Sequence, residues 1–232
     1  MQKYIKKFCI YLLIFGILLI FSGCDINKEE KKTIDDKIAE EISFIEDEIL
    51  TLINRYAKKE YIEGEELNWD NIASDCNKIN NSVDTIVLDL SEGNLSNDEI
   101  VKFSNEVNNL NVFIANKDES GFIQSCSTLY TILSDNFEKI SDNKNKVNFM
   151  KLKALVISSF VQSNLTNWDE AKNNINLAES KYKEMMDDID YMQEYSYNLN
   201  KVYILIEELK TVIDSEEKDL ARIKYINFIE KV

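Results

Sequence analysis

The chain has 232 residues, with 27 basic and 42 acidic side chains, no histidine, no proline and five glycines, for a formal net charge of −15. An anionic surface of that size repels phosphate backbones and anionic lipid headgroups, which argues against nucleic acid as a partner and against a face lying flat on a bilayer. Lack of histidine removes Ser-His-Asp and Cys-His catalysis, histidine-containing zinc sites and helical Glu-x-x-His di-metal sites together.

At the N-terminus Lys3, Lys6 and Lys7 precede an uncharged run of 14 residues, Phe8 to Phe21, which stops at Ser22-Gly23-Cys24. This is the layout of a secretory signal. The run is short for a spanning helix, which needs ~20 apolar residues. Ser22-Gly23-Cys24 resembles the bacterial lipobox, with Phe21 where that pattern usually has leucine. The resemblance implies diacylglycerol on the Cys24 thiol, cleavage ahead of it, and a protein held on the outer face of the cytoplasmic membrane. Two acyl chains anchor stably, at ~0.8 kcal/mol per buried CH₂. The expected organisation is a signal peptide over 1–23, a lipidated tether over 24–33 and one helical domain over 34–232. Losing three lysines and no acid takes the charge from −15 to −18. The aperiodic, charged Asp25 to Thr33 reaches at most ~30 Å. Apart from the lipid no cofactor and no metal is expected.

The helices follow in order. Ile38, Ile42, Ile45, Ile49, Leu52 and Tyr56 step by four and three, a single apolar stripe ending before Gly64. Asn68 is the expected N-cap of a second helix with stripe Trp69, Ile72, Cys76, Ile79, Val83, Ile86 and Leu90. Ser96 with Glu99 has capping-box spacing and opens a third, with Ile100, Phe103, Val107, Leu110 and Ile114. Phe122, Cys126, Leu129, Leu133 and Phe137 make a fourth, and Val147, Met150, Ala154, Ile157 and Val161 a fifth. Asn167 with Glu170 repeats the capping-box spacing before the stripe Trp168, Ala171, Ile175, Ala178, Tyr182, Met185, Ile189 and Met192, which runs past Asp187-Asp188. A further stripe runs Tyr195, Leu199, Val202, Ile206, Leu209 and Ile213. The small phase change between the two also allows one continuous helix over 168–213, ~70 Å long; a break or kink near Asp187 to Asp190 is favoured, because aspartate prefers caps to helix interiors. Ser215 is expected to cap a last helix carrying Leu220, Ile223, Ile226 and Ile229.

Seven or eight amphipathic helices joined by short connections predict an all-α fold, as antiparallel hairpins in a bundle or a solenoid. Asn-Trp-Asp at 68–70 and again at 167–169 favours reuse of one helix-start design. Trp168-x-x-Ala171-x-x-x-Ile175-x-x-Ala178 resembles the second helix of a tetratricopeptide-type hairpin over about one ~34-residue repeat. The family's glycine and proline are missing here, and the resemblance implies close hairpin packing.

Of four cysteines, Cys9 leaves with the signal and Cys24 carries lipid. Outside the membrane a disulfide between Cys76 and Cys126 is permitted, and buried free thiols are equally consistent. Glu184, Asp187, Asp188, Asp190 and Glu194 are the densest acidic cluster, a candidate binding face near Tyr191, Tyr195, Tyr197 and Tyr203. Such a cluster can hold Ca²⁺ through oxygen ligands, but nothing resembles an EF-hand loop and a solvated helix face is the simpler reading. These features point to a lipid-anchored, non-catalytic binding module for a protein or peptide. The alternatives are a carboxylate-dependent enzyme on cell-wall glycan and a small-ligand or cation receptor. Cys24→Ala is expected to abolish metabolic lipid labelling and leave the precursor uncleaved; normal labelling of that variant would refute the anchor.

Overall fold

The computed structural model describes residues 34–59, 66–92, 95–187 and 189–232; within these, the side chains of 34–37, 88, 89, 92 and 189–198 lie outside the description. Cys24 and Gly64 fall outside the described residues. Residues 34–232 form one compact unit. Among the described residues all regular elements are helices: α1 Ile34–Lys58, α2 Trp69–Glu92, α3 Asn97–Asn116, α4 Glu119–Ile140, α5 Lys144–Asn164, α6 Trp168–Met186, α7 Ile189–Asp214 and α8 Lys218–Lys231. None is long and apolar enough to cross a membrane.

Connections after α2 are two to four residues long. A 20-residue helix is ~30 Å long, so such connections force each helix to run back antiparallel to the one before. The contacts then close two rings. Helix α1 packs on α2 and α4, α2 on α3, and α3 on α4; α5 packs on α6 and α8, α6 on α7, and α7 on α8. Contacts of α4 with α5, and of α1 with α8, join the rings. In a stack of hairpins each helix also touches the next but one; among the described residues only α5 and α7 do so. The arrangement is two up-and-down four-helix units side by side. Trp69 and Trp168 open the second helix of each ring, so the Asn-Trp-Asp repeat falls at equivalent places in the topology.

The expected stripes of α1 to α7 are buried wherever their side chains are described, with Trp69 and Trp168 partly covered at the core edge. Trp69 meets Phe122 edge-on at 5.7 Å. Helices α4 and α5 go further than one stripe. Ile123, Ser125, Ser127, Tyr130, Ile132, Ser134 and Asn136 are also buried on α4, and Leu152, Val156, Ser159, Phe160 and Gln162 on α5. Each of these helices has one ring on one side and the other ring on its opposite side. Small hydroxyl residues let the backbones approach, and most of their polar atoms are absorbed locally: Ser159 Oγ donates to the Ala171 carbonyl at 2.7 Å and Ser163 Oγ to that of Phe160 at 2.7 Å, whereas Ser134 Oγ has no partner among the described residues.

The helix ends match expectation in part. Ser96 and Glu99 form the capping box, and Asn68 Oδ1 accepts from the Asn71 N–H at 3.0 Å. Helix α6 ends at Met186 and α7 begins at Ile189, where the break is expected. Asn167, in contrast, makes no cap hydrogen bond; its Nδ2 donates to Gln162 Oε1 at 2.8 Å. Gln162 is buried, and an unsatisfied buried amide costs about 1–3 kcal/mol. Ser215 is not the cap of α8 either. Its hydroxyl donates to the Thr211 carbonyl, and Glu217 holds the N-cap position. On α8 the buried face is Ala221, Arg222, Tyr225, Ile226 and Phe228, with Leu220 exposed. Apolar residues surround that short helix, so periodicity alone did not select a face. The stacking of Tyr225 on Phe160, with centroids 4.0 Å apart, did.

The turns after α3, α5 and α7 share one geometry. Lys117, Thr166 and Glu216 have positive φ of 54°, 62° and 57°. The next residue's N–H bonds back across five residues: Asp118 to Phe113, Asn167 to Gln162 and Glu217 to Val212. This is the Schellman motif, which normally uses glycine. A β-branched residue there is strained, at roughly 1–2 kcal/mol for the left-handed conformation. Thr166→Gly is therefore expected to stabilise the fold by about 1 kcal/mol in urea unfolding monitored by circular dichroism.

Candidate functional site

Where the two rings meet, α4 and α5 lie side by side, flanked by α3 and α6. Helices α3 and α6 have no Cα atoms within 8 Å of each other, which leaves a furrow over α4 and α5. A cavity of about 210 Å³ opens there. Its floor is Gln124, Ser127, Thr128, Thr131 and Asp135 of α4 with Ser158 and Gln162 of α5; Lys102 stands on one wall and Glu170 and Asn174 on the other. Ile132 is the one large apolar side chain in this lining.

The floor residues recur at spacings of three and four along α4, the same rule that sets its buried stripe. Their hydrogen bonding is partly spent. Thr128 Oγ1 donates to the Gln124 carbonyl at 3.0 Å and Thr131 Oγ1 to that of Ser127 at 3.0 Å, which leaves both hydroxyl oxygens as acceptors. Ser127 Oγ and Ser158 Oγ lie 3.1 Å apart and share one hydrogen bond. Two hydroxyls carry two protons, so one donor of this pair is left for a guest. At one end Gln162 Nε2 donates to Gln124 Oε1 at 2.9 Å while its Oε1 accepts from Asn167, a chain that holds both amides in place. The site can accept and donate neutral hydrogen bonds, with two carboxylates and one ammonium at its edges.

A second polar cluster is largely buried, with Lys153 at its partly exposed edge. Tyr130 donates its hydroxyl to Glu46 Oε1 at 2.7 Å, and Lys153 Nζ lies 3.4 Å from the same oxygen. Burial, reinforced by the Glu46 charge, pushes the Tyr130 hydroxyl well above its ordinary value. Arg222 of α8 donates to Asn164 Oδ1 at 2.7 Å and faces the Tyr56 ring at 6.0 Å. These contacts link α1, α4, α5 and α8. They have the character of ties between helices, and the Lys153–Glu46 and Arg222–Tyr56 contacts cross from one ring to the other.

Of the acidic stretch expected as a binding face, Glu184 and Asp187 are exposed. Glu184 pairs with Lys181 at 3.1 Å. Asp188 lies outside the described residues, as do the side chains of Asp190, Glu194, Tyr191, Tyr195 and Tyr197. Tyr203 stacks on Tyr182 at 5.2 Å. Among the described residues no three acidic or cysteine side chains gather closely enough to hold a metal ion. The furrow was not legible from sequence, since Ser, Thr and Gln between apolar residues read equally as a solvated helix face.

Cys76 and Cys126 are both free and buried. No Cα of α2 comes within 8 Å of any Cα of α4. A disulfide needs Cα atoms under about 7 Å apart, so the permitted bridge is not made and backbone movement would be required to make it. Cys76 Sγ instead donates to Asn111 Oδ1 at 3.3 Å, within a reciprocal Asn80–Asn111 amide pair.

Comparison with protein-family models, with curated proteins and with solved structures gives no match. No family therefore supplies roles for these side chains.

Burial pushes the Cys76 thiol up to about 12, and burial with the nearby Cys76 and Glu106 pushes Cys126 well above its ordinary range. Only the thiolate is nucleophilic. Peptide mapping after iodoacetamide treatment at pH 8 is expected to show both residues unmodified in folded protein and both modified in unreduced denaturant. Failure to label either in denaturant would reinstate a bridge.

Proposed function

We propose that this chain is a lipid-anchored binding module on the outer face of the cytoplasmic membrane, recognising a protein or peptide rather than catalysing a reaction. The carrying observation is the furrow over α4 and α5, where uncharged donors and acceptors converge with spare hydrogen-bonding capacity. Like ligand sites in general the furrow is concave with convergent polar groups; unlike most of them it is lined almost wholly by polar side chains, which suits a polar guest. The anchor rests on the lipobox-like Ser22-Gly23-Cys24. A strongly acidic body on a tether of at most ~30 Å is repelled by an anionic membrane, which keeps its surfaces turned to the space beyond.

The charge favours basic or neutral partners and slows encounter with acidic ones. In cells, chemical crosslinking followed by affinity purification is expected to yield a specific partner whose recovery falls as salt rises during binding. Absence of any specific crosslink while the lipoprotein is abundant would overturn this reading. So would clearing of purified wall material by the protein, if that activity vanished on replacing a single carboxylate.

A further inference from the structure

The furrow's chemistry is narrower than that of a generic partner surface, and assigning it a ligand class rests on the binding role proposed above. Its lining has no aromatic side chain, which removes the flat apolar platform on which sugar rings commonly stack. One ammonium against two carboxylates disfavours phosphate. A single large apolar residue disfavours an apolar or helical guest. What remains is a chain of alternating neutral donors and acceptors. From Gln124 to Asp135 the floor extends eleven residues of α4, or ~16 Å. An extended peptide advances ~3.3–3.6 Å per residue, so roughly four residues fit.

The two ends differ. Gln124, Gln162 and Glu170 lie toward the α5–α6 turn, tied there by the Asn167–Gln162–Gln124 hydrogen bonds. Lys102 and Asp135 lie toward the opposite end, since both are far in sequence from the α3–α4 turn. Among the described residues Glu170 makes no ion pair, so its carboxylate is available at the first end. We propose that the furrow binds a short, hydrophilic, extended peptide whose free amino terminus meets Glu170 and whose backbone lies along Ser127, Thr128, Ser158 and Thr131. Peptide N–H groups donate to the threonine oxygens, and a peptide carbonyl takes the spare proton of the Ser127–Ser158 pair.

Backbone recognition is tested with a ligand that is only backbone. Tetraglycine amide with a free amino terminus is titrated into the full chain in detergent, alongside its N-acetyl form and an N-acetylglucosamine tetramer, and amide chemical shifts are followed by NMR. Saturable binding of the free-amine peptide is expected, weakened about tenfold by the shape-conserving pair Thr128→Val and Thr131→Val. N-acetylation is expected to weaken binding severalfold, and Glu170→Gln to abolish the difference between the two peptides. No saturable shift, shifts indifferent to these substitutions, or preference for the sugar tetramer would each overturn the inference. Those outcomes leave the cellular crosslinking result unaffected, so the peptide assignment and the broader binding role fail separately.

Discussion

Two-sided burial of α4 and α5 is the constraint on which the rest depends. Each of these helices completes one four-helix ring and presses its outer side on the other ring. They must therefore be covered on faces that an ordinary amphipathic helix leaves to water. A wholly apolar surface would serve, but it would hold the backbones apart by the bulk of its side chains. Serines at 125, 127, 134 and 159 and the alanines at 154 and 171 bring the helices close instead. The cost is polar atoms in the interior, and it is partly offset locally: Ser159 donates to the Ala171 carbonyl, Ser125 to Glu106 and Ser127 pairs with Ser158, while among the described residues Ser134 Oγ is left without a partner.

That arrangement also creates the furrow. Four rods in a ring leave no groove, whereas two rings that meet at α4 and α5 leave one above that pair. Ser127 serves both core and furrow, buried in the close packing and hydrogen-bonded to Ser158 in the floor, beside Thr128 and Thr131. Packing and binding chemistry thus share this residue, and substitutions that keep shape while removing a hydroxyl separate the two roles. Beneath the floor, the Glu46–Tyr130–Lys153 contacts and the Arg222–Asn164 bond tie helices together within and between the rings through groups that are expensive to leave unpaired. Removing one partner from such a cluster is worse than replacing the cluster with apolar residues.

Electrostatics sets the larger context. Most described surface lysines are already engaged, such as Lys210 and Lys183 on Glu179 and Lys78 on Glu48 and Asp75. Burial opposes ionisation of Asp75, but hydrogen bonds from Lys78 and Arg55 outweigh it and hold that carboxyl below its ordinary value. Its contribution to stability is therefore present above the ordinary carboxylate range and is lost as pH falls through the depressed value. The excess acid left over gives the described surface a net negative field, which repels other anionic surfaces.

Periodicity by itself determined the helical class and the buried stripes of α1 to α7, because each stripe repeats the 3.6-residue period; the aspartates after Met186 favoured a break there, which the period alone left open. Caps with short polar side chains, Ser96 and Asn68, were legible for the same local reason. Tertiary structure alone decided the rest. The left-handed residues Lys117, Thr166 and Glu216 carry no glycine signal, so those turn geometries had no local mark. Asn167 gave up its cap to satisfy buried Gln162, and α8 turned Leu220 outward because Phe160 offered a stacking partner to Tyr225. Whether four-helix rings close or hairpins stack, whether two thiols meet, and where hydroxyls become a floor all depend on which helix faces lie opposite one another. Those are contacts between residues distant in the chain, and no local period encodes them.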